Sequence, residues 1–273
     1  MDRTLYLNEN KTITVLRDGP SVWIREEGKA GRRIPARLIG RVVIIGNLKL
    51  ETDVITLFTD NDIPVTLMNR AGDSAAVVMP YVEKLPQYYE KQKTLLMTPE
   101  RINRFKDWLY AQRRQLQLHV VQRLSKSISY TFTSSGFREK DYRRVIEEFR
   151  PVSDEQWQAI FNVVSVLFRE LVVGYIMKRD LDPHIGILNR RYNFGLALDI
   201  CHILEPEIEL QSVQFARAAK TKSYMIKARA GWSVSAEGMK DVVHRFENRR
   251  DQIKAAVERL IDDIFELMRE LRK

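Results

Sequence analysis

The feature that most constrains this chain is a change of hydrophobic period, marked off by prolines. The first 80 residues alternate or run in short β-branched stretches, as in "KTITVLRDGPSVWIRE" and "RVVIIG". After Pro99 the apolar positions recur at helical spacing: Ile102, Phe105, Leu109, Leu116, Val120, Leu124 and Ile128. A period of two cannot lie on the same scaffold as a period of 3.6, so two kinds of structure are expected in series. Asp18-Gly19 between two strand-like runs is a hairpin signal. "ETDVITLFTDND" sets Val54, Ile55, Leu57 and Phe58 on one side of a short helix. "IPVTLMN" and "AAVVMP" then read as strands about the turn "RAGDS". The segment "PYVEKLPQYYEKQKTLLMTP" holds three prolines and no clean period, which reads as a linker with one short helix. Thr98-Pro99-Glu100 supplies an N-cap, a first-position proline and a first-turn acid, so a helix begins there.

The expected fold class is therefore α+β: a small N-terminal β-rich domain over 1–82, a linker over 83–98, and a larger all-α domain over 99–273. Within the latter, "DEQWQAIFNVVSVLFRELVVGYIMKR" is apolar enough for a central, buried helix. Arg169 and Glu170 interrupt it, so no membrane span is expected. A last helix runs from about Glu237, with Val243, Phe246, Ile253, Val257, Leu260, Ile264 and Met268 as its stripe.

Charge separates the two parts further. Residues 1–82 carry 11 Lys and Arg against 10 Asp and Glu, whereas the remainder carries 34 against 26. The excess that gives the chain its net +9 belongs to the helical part, the candidate for a polyanion surface. A lone cysteine, Cys201, excludes an internal disulfide framework and suits a cytoplasmic protein. No phosphate-binding or dinucleotide glycine loop and no Cys-His zinc spacing occurs.

One stretch, "LDPHIGILNRRYNFGLALDICHILEP", has the outline of a divalent-metal site. Asp199 and His202 lie three apart on one helix, Asn189 lies on the preceding loop and His184 stands nearby. The donors are nevertheless poorly chosen for a hard cation, which prefers several charged oxygens. His119, beside an apolar stripe, reads as structural, and His244 as a solvated helix residue. Ser135 has no evident His partner for nucleophilic chemistry.

Several of these stretches, taken in order, resemble the CRISPR-associated adaptation endonuclease family, the integrases that insert new spacers in antiviral defence. They are "RRIPARLIGRVVIIGNLKLETDVITLFTDNDIPVTLMNRAG", "FNVVSVLFRELVVGYIMKRDLDPHIGILN", "LALDICHILEP" and "GWSVSAEGMKDVVHRFENR". The resemblance covers nearly the whole chain. It implies manganese or magnesium held by a Glu, a His and a further acid, stabilising charge on a phosphodiester under attack. Carried over residue by residue, the Glu position is Ser135 in "SSGFREKDY", the His position is Asn189, and the acid three residues beyond the retained Asp199 is His202. All three ligand positions are changed. The site is thus expected to be degenerate, with no cofactor, and Asp199 with His202 is the weak metal candidate that remains.

The resemblance also implies partners: DNA, a second copy met through the N-terminal domain, and the small ferredoxin-like adaptation subunit or an active paralogue. The residues expected on DNA are Arg190, Arg191, Arg217, Lys220, Lys222, Lys227 and Arg229, with Tyr224 and Trp232 interleaved to stack on bases. Three roles stay open: a non-catalytic DNA-binding scaffold or accessory subunit, a metal-dependent endonuclease with a shifted ligand set, and a protein adaptor that does not bind DNA.

Overall fold

The computed structural model describes residues 3–9, 12–73, 75–80, 84–228 and 231–270. They form two compact units that divide between Lys84 and Leu85. The first contains β1 (Arg3–Asn8), β2 (Ile13–Asp18), β3 (Ser21–Glu26), β4 (Arg32–Pro35), β5 (Ile39–Ile45), helix α1 (Thr52–Thr59), β6 (Val65–Met68) and β7 (Ala75–Val78). Two sheets result, ordered β1-β5-β6-β7 and β2-β3-β4. The hairpin expected at Asp18-Gly19 joins β2 to β3, with Asp18 opposite Ser21 and Gly19 at φ 58°. β5 lies between two parallel neighbours, β1 and β6. Its "VVII" run is buried throughout, which is why it reads as continuous apolar sequence rather than alternation. The β5-to-β6 connection passes through α1, whose Val54, Leu57 and Phe58 join Leu7, Val42 and Ile24 in one core.

The second unit contains α2 (Tyr89–Lys93), α3 (Pro99–Leu124), α4 (Lys126–Ser135), α5 (Glu139–Phe149), α6 (Asp154–Lys178), α7 (Gly195–Thr221), a hairpin of β8 (Met225–Ala228) and β9 (Gly231–Val234), and α8 (Ala236–Glu270). It is mostly helical; the β8–β9 hairpin is the departure from an all-α expectation. Thr98 caps α3 as expected, its hydroxyl accepting from the Arg101 N–H at 3.3 Å with Pro99 at the first helical position. The stripe read through Ile128 is in fact two helices: Ser125 is extended, ends α3 and caps α4.

The segment expected as a linker over 83–98 is packed into the second unit from Leu85 onward. The reason is Gln92, almost fully buried, whose amide donates to the carbonyls of Asp182 and Ile185 and accepts from the Asp182 N–H. α6 is long and apolar enough to cross a bilayer by length and hydropathy. Here it is the central helix, with Ile160, Val163, Phe168 and Ile176 fully enclosed against α7, α8 and β9. α7 begins where the chain doubles back on itself. A Cβ on Gly186 would meet the Gly195 backbone at 2.3 Å, so this close approach requires glycine.

Candidate functional site

α3, α5 and α7 pack together, and each brings polar residues to a shared face. Asp199, in the first turns of α7, is fully buried. One carboxylate oxygen accepts from the Ile187 N–H at 2.6 Å and the Leu188 N–H at 3.2 Å. The other accepts from the Asn189 N–H at 2.9 Å and the Asn189 side-chain amide at 2.8 Å. Four donors from one loop saturate the carboxylate. Burial nonetheless pushes its pKa up, the donors offsetting part of the shift. Asp199 therefore fastens the loop after α6 onto α7 and has no oxygen free for a cation.

His202 points elsewhere. Its ring is half-buried, edge-on to Tyr110, with Nδ1 3.4 Å from Glu205 Oε2. His184 is used in the loop: its Nδ1 accepts from the Phe194 N–H at 3.1 Å. Ser135 is the exposed last residue of α4, followed by Gly136 at φ 69°. His119 and His244 are both exposed.

The centre of the shared face is a residue that sequence reading passes over. Arg113 of α3 is buried, 5 % exposed. Its Nη1 donates to the His202 carbonyl at 2.6 Å and to Glu205 Oε2 at 2.7 Å, and its Nη2 donates to Glu139 Oε1 at 2.9 Å. The His202 carbonyl is available because Pro206, four residues on, has no N–H to give it. Gln117, one turn along α3, donates to the second Glu139 oxygen at 2.7 Å. Beyond them the buried Tyr142 of α5 donates its hydroxyl to Glu209 of α7 at 2.6 Å.

The electrostatics follow from who is paired. Burial alone would lower the Arg113 pKa, but Glu205 and Glu139 more than reverse it. Burial would raise both carboxyls. Gln117 and Arg113 instead hold Glu139 below its usual range, and His202 and Arg113 do the same for Glu205. Burial pushes the Glu209 pKa up to about 7, although the tyrosine hydrogen bond and the more distant Arg113 both act to lower it. The sequence carried a faint signal for this network: Arg113 and Gln117 on α3, and Glu205 and Glu209 on α7, are each four apart and so share a helix face.

The donor set does not fit a catalytic divalent ion. Asp199 is saturated, the Asn189 side-chain amide is committed to Asp199 as a donor, and Glu139 and Glu205 are held by a guanidinium. Among the described residues no group of three His, Cys, Asp or Glu is disposed to hold a metal ion.

The expected DNA contacts do not form a single surface. Arg190 and Arg191 are exposed on the loop before α7, beside the exposed Tyr192. Arg217 and Lys220 are exposed at the other end of that 27-residue helix, which at 1.5 Å per residue is about 40 Å long. Lys222 and Lys227 continue from there, Lys222 Nζ lying 3.0 Å from the Tyr224 hydroxyl and Lys227 over the Trp232 ring. Tyr224 is buried and stacked on Phe215, so its ring faces are not open to bases. Arg229 lies outside the described residues.

The profile of the family described as CRISPR associated protein Cas1 matches residues 5–149, more than half of the chain. No curated protein matches by sequence. Among solved structures, the chain is similar to a Cas1 protein from Thermotoga maritima, with a TM-score of 0.77, 16 % identity, and 99 % of this chain and 97 % of that one covered. It is similar to a casposase bound to integration product, with a TM-score of 0.66, 14 % identity, and coverage of 91 % and 82 %. A third similar structure is the TtCas1–DNA complex, with a TM-score of 0.65, 12 % identity, and coverage of 98 % and 92 %. At these identities the likeness establishes the fold alone.

Proposed function

The chain belongs to the CRISPR associated protein Cas1 family, and on that premise we propose that it is a non-catalytic member that binds DNA as a dimeric scaffold or accessory subunit of spacer acquisition. The observation that carries this reading is the pairing of Arg113 with Glu139 and Glu205. A guanidinium stands where the helices would have to present charged oxygens to a metal. The ligand positions inferred from the family, Ser135, Asn189 and His202, supply no carboxylate of their own. Family chemistry needs a divalent ion to offset charge on the phosphate under attack, and these residues give it no place to bind.

DNA binding is supported by the basic excess of residues 83–273 and by two exposed Arg and Lys groups, one at each end of α7. Related folds have been solved with DNA and with an integration product. The partners in this reading are DNA, a second copy through the β-rich unit, and the small ferredoxin-like adaptation subunit or an active paralogue, in the cytoplasm. No metal is required for the role.

A second reading has one observation behind it. Arg113 holds Glu139 and Glu205, and His202 stands beside Glu205, so that these three would become a shifted ligand set only by closing together, since they form no metal-holding group as placed. That reading requires Arg113 to withdraw from both carboxylates. Nicking and strand-joining assays on linear and branched DNA with manganese or magnesium separate the two: no product above a protein-free control is expected, and metal-dependent product would overturn the proposal. A gel shift tests the DNA claim against a pure adaptor role, and light scattering at about 10 µM, where weak dimers populate, tests the second copy.

A further inference from the structure

The geometry points to Arg113 as a built-in cation: its guanidinium fills, from within the chain, the space between the Glu139 carboxylate of α5 and the Glu205 carboxylate of α7, and so closes that face to metal. Three observations meet here. The residue is 5 % exposed and bridges two carboxylates on different helices, at 2.7 and 2.9 Å. It bonds the carbonyl that Pro206 leaves without a helical donor, at 2.6 Å. It joins α3, α5 and α7, whereas Arg143, a second cation beside Glu139 at 3.6 Å, is exposed and lies one turn along α5 itself.

The chemistry follows from charge and shape. Two carboxylates with one guanidinium carry a net −1, and each bonded oxygen is turned toward a planar fork rather than toward a single point. A hard divalent ion entering beside that fork would meet a like charge and oxygens already engaged. With Arg113 removed, the same face holds Glu139, Glu205, the free His202 carbonyl and the His202 ring with no internal counter-charge. Mixed oxygen and imidazole donors of that kind suit manganese.

This inference rests on the non-catalytic reading of the pocket, yet the two fail separately. Metal-dependent nicking by the wild type sinks the function whatever Arg113 does. A metal-indifferent Arg113→Ala protein sinks this inference and leaves inactivity standing. The experiment is Mn2+ binding by the full chain, followed by loss of the paramagnetic signal of the free aqua ion, and by thermal unfolding with Mn2+ or chelator. Wild type and Arg113→Lys should be indifferent to Mn2+. Arg113→Ala should lose stability in chelator and recover about 3–6 °C in Tm when Mn2+ is about tenfold above its Kd. Adding Glu139→Gln should abolish that recovery. Mn2+ bound by wild type and lost with Glu139→Gln would overturn the inference, as would a folded Arg113→Ala that ignores the ion. Should Arg113→Ala fail to fold in chelator, refolding in Mn2+ decides: return of a cooperative transition supports the inference, and its absence overturns it.

Discussion

Asn189 gives both its backbone N–H and its side-chain amide to the same carboxylate oxygen of Asp199, at 2.9 and 2.8 Å. With Ile187 and Leu188 on the second oxygen, the pair turns an apparent metal site into a clamp on the loop that carries Arg190 and Arg191. Replacing Asp199 by Asn puts a donor where an acceptor is needed and leaves buried N–H groups unpaired. A loss of about 2–4 kcal/mol in urea unfolding is expected, with no change on adding chelator. A chelator-sensitive stability in the wild type would contradict the clamp.

The network beyond it predicts a pH dependence. Glu209 has a folded pKa of about 7, above its ordinary 4.5. The folded state therefore favours the protonated form, and the stability this gives is full below about pH 4.5 and lost as pH rises through 7. Tyr142, Glu205, Glu139 and Arg113 act on Glu209. Of these, Glu139 and Glu205 are shifted the other way, so the stability they contribute is lost on acidification instead. Glu209→Gln keeps an acceptor for Tyr142 and removes the titration. It should raise stability at pH 8, on the order of 1–3 kcal/mol, and flatten the profile between pH 5 and 8. An unchanged slope in a thermal melt series would show that Glu209 is not the group responsible.

DNA binding should divide between the ends of α7. Alanine at Arg190 and Arg191, or at Arg217 and Lys220, should each weaken binding across unrelated sequences. Each pair should reduce the salt slope by about 2, because phosphate contacts release counterions in proportion to their number. The two effects should add, since sites this far apart share no partner. Loss confined to one pair would place the duplex at that end alone.

Restoring the family's ligands should not by itself restore metal binding. The change Ser135→Glu, Asn189→His and His202→Asp removes one donor from the Asp199 clamp and leaves Arg113 between Glu139 and Glu205. Titration calorimetry with Mn2+ should register binding only after Arg113→Ala is added, with cleavage still absent if the groups that orient the ligands are gone. Tight binding by the triple variant alone would mean that Arg113 does not obstruct the site.

What the sequence determined by itself was whatever neighbouring residues decide. Asp18-Gly19 closes a hairpin through local backbone preference, Thr98-Pro99 starts a helix through its own cap, and the β-branched run of "RVVIIG" marks a strand. The same reasoning put Asp199 and His202 on one helix face, and there it reached its limit. Residues three apart differ by about 60° around the axis, enough for Asp199 to turn inward to the loop while His202 meets Tyr110 and Glu205. Only the tertiary structure decided the rest. Gln92 draws an apparent linker into the helical unit through residues 90 or more positions away. Arg113 meets its partners 26, 89 and 92 positions away, and the middle one, the His202 carbonyl, is an acceptor left free by a proline in another helix. An arginine on a basic, amphipathic helix reads as a solvated charge. It becomes the centre of an ion-paired network because three helices pack around it and two carboxylates offset the loss of water.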